Sequence, residues 1–595
     1  LMIRRPPRST PKPSSAESVV FKRQEKGNPQ QQMQDLFSQM VSQTSGMFSP
    51  MDPLGAMKPL QQVAEAWTKN PQQFADAMQD WTQQIGDMNT RIWQDFLDRQ
   101  KENDSKENQS AELADLPYFT WIREYYKTYT NWMEQQIRDT SGVSEKIKED
   151  ASFWSKQMLS ALSPNNYFWT NPEAINAFIE SKGETLRHGL QNWLNDQMRD
   201  GLPEMVDKTQ FQVGGNLANT PGKVIFRNEL IELIQYEPLT KEVHEIPIVI
   251  TPPWINKFYI LDLKPKKSFV LNLVSQGYTV FFISWKNPTK EMRNTSMDDY
   301  LSLGPLKAIE VAKAITKSKQ VHAVGYCIGG TLLASAMASL NHPDNPQNGS
   351  VKDWTLLTTL VEFERPGELG SFITEESLEY LEEQMSKQGY LEGSQMGNTM
   401  RMLRPDGLIW HYFVNNYLFG KQPPPVDLLF WNDDATRMPE KMHSFYLREY
   451  YLNNRLCKPD ELELGGYPID LGRITQPLYC VSAEEDHITP WTQVFRINAL
   501  VKGKVRFVLS TSGHIAAVVN PPVDPPKRSF WASDSNQSQE PEAWKAGIEK
   551  KDGTWWPDWT NWLDERCGKI IAPPKMGSKK YKPLADAPGT YVMEY

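Results

Sequence analysis

The chain has 595 residues, too many for one compact core, so two domains are expected and three allowed. Its apolar share of 39% is low, yet 20 Trp, 22 Tyr and 24 Phe provide large buriable surface. A net charge of -9 argues against nucleic acid as a partner, and four cysteines are too sparse for a disulfide framework and fit a reducing cytoplasm.

The first stretch, LMIRRPPRST followed by PKPSS, is rich in Pro, Arg and Ser without periodicity. Residues 1–51 therefore read as a disordered or non-native leader, with Met33 as a more natural start. From Asp52 to about residue 205 the pattern is helical. Val63, Trp67, Phe74, Met78, Trp81, Ile85, Met88, Ile92 and Phe96 recur at three-, four- and seven-residue steps, and KENDSKENQS breaks the run into two groups. That apolar stripe serves packing within the chain or docking of a partner or apolar surface.

From about residue 206 to the end the rhythm changes. Short apolar runs such as EIPIVITPPW, YTVFFISW, VHAVGYC, WTLLTTLVEF, PLYCVSAEED and VRFVLSTSGH alternate with helical ones, which predicts a mostly parallel sheet covered on both faces. SFVLNLVSQGYTVFFISW, the most apolar stretch, is interrupted by Asn, Ser, Gln and Gly; it reads as helix, turn and strand rather than a membrane span. About residues 364–456 the alternation stops, and the segment is read as a cap inserted over the C-terminal edge of the sheet. The aromatic tail GTWWPDWTNWL is expected to pack back on the sheet rather than anchor to an apolar surface.

The segment Gly325-Tyr326-Cys327-Ile328-Gly329 lies between a strand-like run and a good helix. This is the setting of the nucleophile on the sharp strand-to-helix turn of α/β-hydrolases, where side chains at the flanking glycines would collide with neighbours. Gly330 is read as adding slack. The helix N-terminus favours a thiolate at Cys327, and the Ile328 N–H is placed to serve an oxyanion. A second donor is sought in TPPWINKFY, residues 251–259. The bland alternative for Cys327 is a small buried apolar residue.

In this fold the acid and then the histidine follow the nucleophile. Asp486 ends one late strand and His514 follows the next, so they are taken as the pair. Glu484 and Glu485 compete for the acid's role and His487 for the base's, while His411 and His443 fall in the insertion. The histidines and cysteines lack metal-ligand spacing, no Gly-rich phosphate loop is apparent, and neither a metal nor a cofactor is expected.

GYCIGG, PPWINKFYILDL, SWKNP, RPDGLIWHYFVNNYL, PPPVDLLFWNDDATRMP, EEDHITPW, SGHIAAVVNPP and the terminal APGTYV together resemble the polyhydroxyalkanoate synthases, bacterial polyester polymerases, over residues 220 to 595. The long single chain with its N-terminal helices is similar to the class I type. The resemblance implies an α/β-hydrolase core, a short-chain (R)-3-hydroxyacyl-CoA substrate such as 3-hydroxybutyryl-CoA, and catalysis by Cys327, Asp486 and His514. It also implies a homodimer in the cytoplasm on polyester granules, with granule-associated proteins contacted through the N-terminal domain. One departure stands out: Lys286 occupies the place of an Arg in the family's SWRNP-like motif.

A thiol suits a thioester substrate, because exchange of one thioester for another keeps the acyl group activated. The acceptor must then be a hydroxyl rather than water, which calls for a dry pocket under the aromatic segment Trp410 to Trp431. His514, oriented by Asp486, or Asp486 itself would deprotonate that hydroxyl. A cysteine-dependent thioesterase or esterase is the first alternative, and a non-catalytic granule-surface protein the second.

Overall fold

The computed structural model describes residue 52 and residues 55–103, 113–199, 201–535 and 538–595. The leader, residues 1–51, and the polar break beyond Asn103 lie outside the described residues.

An 11-stranded sheet organises the chain. Its strands are β1 (Gly222–Arg227), β2 (Ile231–Tyr236), β3 (Ile248–Thr251), β4 (Val280–Trp285), β5 (Val321–Tyr326), β6 (Val351–Leu357), β7 (Leu478–Ala483), β8 (Val505–Ser510), β9 (Ser529–Ser535), β10 (Lys551–Asp552) and β11 (Ala585–Asp586). Their spatial order is β10-β9-β8-β7-β6-β5-β3-β4-β2-β1-β11. From β4 through β3, β5, β6 and β7 to β8 every pairing is parallel, and antiparallel strands close both sides. Parallel alignment brings the C-terminal ends of these six strands to one edge, where the loops after β3, β5, β7 and β8 converge.

The central strands are apolar throughout because both faces are covered: β4 and β7 are buried at every residue. Alternation then divides each strand between two cores. Ile248, Ile250, Val280 and Phe282 pack on one side of the sheet, Val249, Phe281 and Ile283 on the other. SFVLNLVSQGYTVFFISW forms helix Phe269–Ser275, a turn with Gly277 at φ +85°, and then β4. The tail reading also agrees with the structure. Trp555, Trp556 and Trp559 are buried, and the last donates its indole N–H to Thr355 Oγ1 on β6 at 2.9 Å.

Between β6 and β7 the chain runs through short helices, including Glu375–Gln388, Gly393–Met402 and Asp427–Asn432. The N-terminal helices seat on this segment. Phe153 and Trp154 of helix Glu145–Ala161 pack edge-on against Phe372 at 5.2 and 5.1 Å. Helix Glu184–Arg199 receives the Tyr417 hydroxyl at Asp196 Oδ2, 2.8 Å away. Within the N-terminal part, Trp81 of the apolar stripe packs on Tyr125, Tyr129 and Trp132 of helix Pro117–Asp139. Among the described residues no helix is long and apolar enough to cross a membrane.

Candidate active site

Cys327 sits on the turn between β5 and helix Ile328–Leu340 with φ 52° and ψ -126°, a conformation that L-residues avoid. The surroundings impose it. A Cβ on Gly325 would lie 2.5 Å from the Cα of Gly330, and one on Gly329 would run into the backbone of Thr251 and Pro252. Gly330 is no source of slack: a side chain there would strike Thr359. The elbow is held by close contact on three sides, and Cys327 N–H donates to Leu357 O at 2.9 Å. Cys327 itself packs against both cores. Helix Ile328–Leu340 is buried along its whole length; Gly330 N–H already donates to Cys327 O at 2.9 Å, so the N–H groups ahead of the first helical bonds are those of Ile328 and Gly329.

His514 follows β8 and Asp486 follows β7, so parallel pairing of these two strands brings them together. His514 Nδ1 lies 2.7 Å from Asp486 Oδ2, and both residues are buried. Asp486 Oδ1 accepts from the Ile488 and Thr489 N–H groups at 2.9 Å each, and Oδ2 accepts from Thr489 Oγ1 at 2.7 Å. Burial raises the carboxyl, but His514 and these donors outweigh it and hold Asp486 below its ordinary value. For His514, burial pulls the imidazole down, and the charges of Asp486 and of the Cys327 sulfur more than reverse this, holding it well above its ordinary value. Imidazole and carboxylate form a hydrogen-bonded pair, and the Cys327 sulfur is close enough for its charge to act on the imidazole.

The rival residues are engaged by other partners or lie apart from the Asp486–His514 pair. His487 Nδ1 accepts from Arg404 Nε at 3.3 Å, and burial followed by the Arg404 charge pushes it down to about 4. Glu484 is engaged by Lys545 Nζ at 2.8 Å. His411 packs on Tyr412, away from the cavity.

Cys327, Ile328 and His514 line a cavity of about 320 Å³ whose other walls are mostly apolar. The segment after β6 supplies Met396, Met400, Leu408, Trp431, Tyr446 and Tyr451. Arg404 and His487 add polar groups to the wall. The aromatic stretch expected to cover the site divides in two. Leu428 and Trp431 reach the cavity, whereas Trp410 pairs with Phe413, in the stretch that carries Tyr417 to helix Glu184–Arg199. The loop 251–259 reaches the cavity through Pro253, Ile255 and Asn256. Pro252 and Pro253 carry no N–H, so any backbone donor from this loop begins at Trp254. Lys286, the departure in SWKNP, places its Nζ over the Tyr591 ring at 5.0 Å, a contact with the C-terminal segment.

Sequence reasoning missed Thr489 and the two tyrosines, and it set His443 aside with the insertion although that residue lines the cavity. Thr489 had a local signal, since a hydroxyl and N–H three residues after an aspartate are suited to hold its carboxylate. His443, Tyr446 and Tyr451 had none; long-range packing brings them to the cavity.

The comparisons with known proteins agree with this geometry. Residues 103–273 match the family described as poly-beta-hydroxybutyrate polymerase (PhaC) N-terminus, and residues 260–521 match the alpha/beta hydrolase fold. A poly(3-hydroxyalkanoate) polymerase of Methylorubrum extorquens is 40% identical over 90% of this chain and 89% of its own. The poly(3-hydroxyalkanoate) polymerase subunit PhaC of Cupriavidus necator is 40% identical over 86% of this chain and 88% of its own. One from Rhizobium meliloti is 39% identical over 90% and 88%. With an elbow cysteine beneath an apolar cavity and identity of this extent along nearly the whole chain, the protein belongs to the poly(3-hydroxyalkanoate) polymerase family.

Proposed function

We propose that this chain polymerises short-chain (R)-3-hydroxyacyl-CoA into polyester with release of CoA, carrying the acyl group on Cys327. The observation that supports this most is the Cys327 thiol and the buried His514–Asp486 pair brought together at one mostly apolar cavity. The Cys327 sulfur attacks the thioester carbonyl, the Ile328 N–H stabilises the oxyanion, and the CoA thiolate leaves with the proton held by His514. The 3-hydroxyl of a second unit or of the chain end then gives its proton to His514 and attacks the acyl carbon. An ester bond forms, the Cys327 thioester breaks, and the sulfur leaves as thiolate beside the imidazolium. His514 is favoured over Asp486 as the base for this step. The Asp486 carboxylate is buried behind His514, already accepts four hydrogen bonds, and is held below its ordinary value.

In the same reading residues 52–205 form the helical N-terminal domain and 206–595 the catalytic domain, with the cap at about 364–456. The enzyme works in the cytoplasm at granule surfaces, as a homodimer, and meets granule-associated proteins through the N-terminal domain. Exposed Trp93, Trp169 and Met198 on those helices support an apolar contact there. Incubation with 3-hydroxybutyryl-CoA tests the activity: insoluble polymer with stoichiometric CoA is expected, and Cys327→Ala should yield neither. Free hydroxyacid without polymer would instead identify a cysteine hydrolase, and indifference to Cys327→Ala a non-catalytic surface protein.

A further inference from the structure

The absence of local ligand spacing led to the expectation of no metal site, but the fold assembles a ligand set from distant parts of the chain. Asp564 ends helix Trp556–Asp564, and Cys567 follows three residues later. The chain then enters strand Ile570–Ile571, which pairs antiparallel with Val243–His244 and sets Ile570 opposite His244. The Cys567 sulfur lies 2.8 Å from His244 Nδ1, and Asp564 Oδ1 lies 3.8 Å from His244 Nε2. One ligand atom from each residue falls within 4.8 Å of the others. Tyr278 stacks on the imidazole at 4.4 Å and its hydroxyl donates to Asp564, so both ring and carboxylate are positioned. Cys567 is buried while Asp564 reaches solvent, so an ion would have a protected thiolate on one side and water on the other.

A second observation lies in the sheet just after the strand at 243–244, where His322 N–H donates to Pro247 O at 2.9 Å. His322 and Asp353, on β5 and β6, are buried and joined at 2.7 Å through His322 Nδ1 and Asp353 Oδ1. The remaining atoms, His322 Nε2 and Asp353 Oδ2, are buried without a partner. A buried carboxylate with spare acceptor capacity favours a cation nearby. His322 and Cys327 sit at opposite ends of β5, about 16 Å apart at 3.3 Å per residue, so this cluster is separate from the acyl-transfer site.

We propose that His244, Asp564 and Cys567 bind a divalent transition-metal ion of the zinc class, with water in the fourth position. Thiolate, imidazole and carboxylate are the donors such an ion takes in tetrahedral geometry. On binding, the Cys567 S–H bond breaks, its proton passes to solvent, and a sulfur–metal bond replaces the thiol–imidazole contact. The ion would clasp residues 564–571 to the strand at 243–244.

The test is titration of the full-length, chelator-treated protein with Co2+, read by the thiolate-to-cobalt band in the near ultraviolet and tetrahedral bands in the visible. One equivalent per chain is expected, reversed by Zn2+. Because Cys327 and His514 also offer a thiol and an imidazole, the same titration is run on Cys327→Ala. The bands should persist there and vanish in Cys567→Ser and His244→Asn. Should either of those variants fail to fold, Asp564→Asn, altered at an exposed side chain, is expected to weaken Co2+ binding about tenfold. Absence of the bands in the unaltered protein, or bands that follow Cys327 and survive in Cys567→Ser, would overturn the assignment. The readout does not depend on turnover, so failure here is distinct from failure of the polymerase reading.

Discussion

Asp486→Asn separates the role given to His514 from its alternatives. The amide keeps the shape of the carboxylate. Its oxygen can still accept from Ile488 N–H and Thr489 N–H, the two 2.9 Å bonds that fix the side chain. The amide nitrogen then occupies the position that accepts from Thr489 Oγ1 and His514 Nδ1, both now at 2.7 Å. A donor would face a donor, so His514 must carry its proton on Nε2, the nitrogen needed to accept from Cys327. Loss of the correct tautomer in such a triad lowers the rate by about 10⁴, or about 5.4 kcal/mol of barrier at 1.36 kcal/mol per tenfold. Rapid-quench mass spectrometry of the acyl adduct on Cys327, run beside CoA release, reads the two steps apart. Both should fall together. Acyl loading within tenfold of the unaltered protein would refute the orienting role, and if only chain growth collapsed, the carboxylate would be acting on the acceptor hydroxyl directly.

Other outcomes follow from packing and burial. Gly329→Ala places a methyl group against the Thr251 and Pro252 carbonyls, where only backbone can yield. Thermal unfolding should show a loss of about 1–3 kcal/mol, with acyl loading slowed as the elbow shifts. Trp431→Ala opens the cavity wall and removes the indole bond to Lys257 O at 2.7 Å. Its product ratio should move from polymer toward free hydroxyacid, and an unchanged ratio would mean that Trp431 does not exclude water. Burial pushes His443 down to about 4, so the unfolded chain binds the extra proton between there and about 6.5. Stability is therefore present above the unfolded value and lost as pH falls, by about 2 kcal/mol at pH 5. Unfolding midpoints at pH 7.5 and 5 should show that loss reduced in His443→Phe; equal losses in both proteins would count against it.

The sheet and the elbow at Cys327 were legible because their signals are local. Alternating apolar runs mark strands, and glycines around Cys327 mark a turn that tolerates no side chains. The meeting of Asp486 and His514 was readable from chain order alone, since parallel strands deliver their ends to a common edge. The cavity walls were not legible in this way. Trp410 and Trp431 look equivalent in the sequence, but only the second faces the cavity, because docking with helix Glu184–Arg199 turns the stretch around Tyr417 outward. Gly330 misled for a related reason: its neighbour Thr359 lies on the loop after β6, 29 positions away. His244 and Cys567, separated by 323 positions, could be joined only by the fold.

Cys327 is wedged between the two cores that flank the sheet, its backbone pinned to β6 and its helix buried along every turn. Such a sulfur is a fixed mooring. If Cys327 carries the growing chain, as proposed, elongation at a stationary post requires the polyester itself to slide outward after each addition.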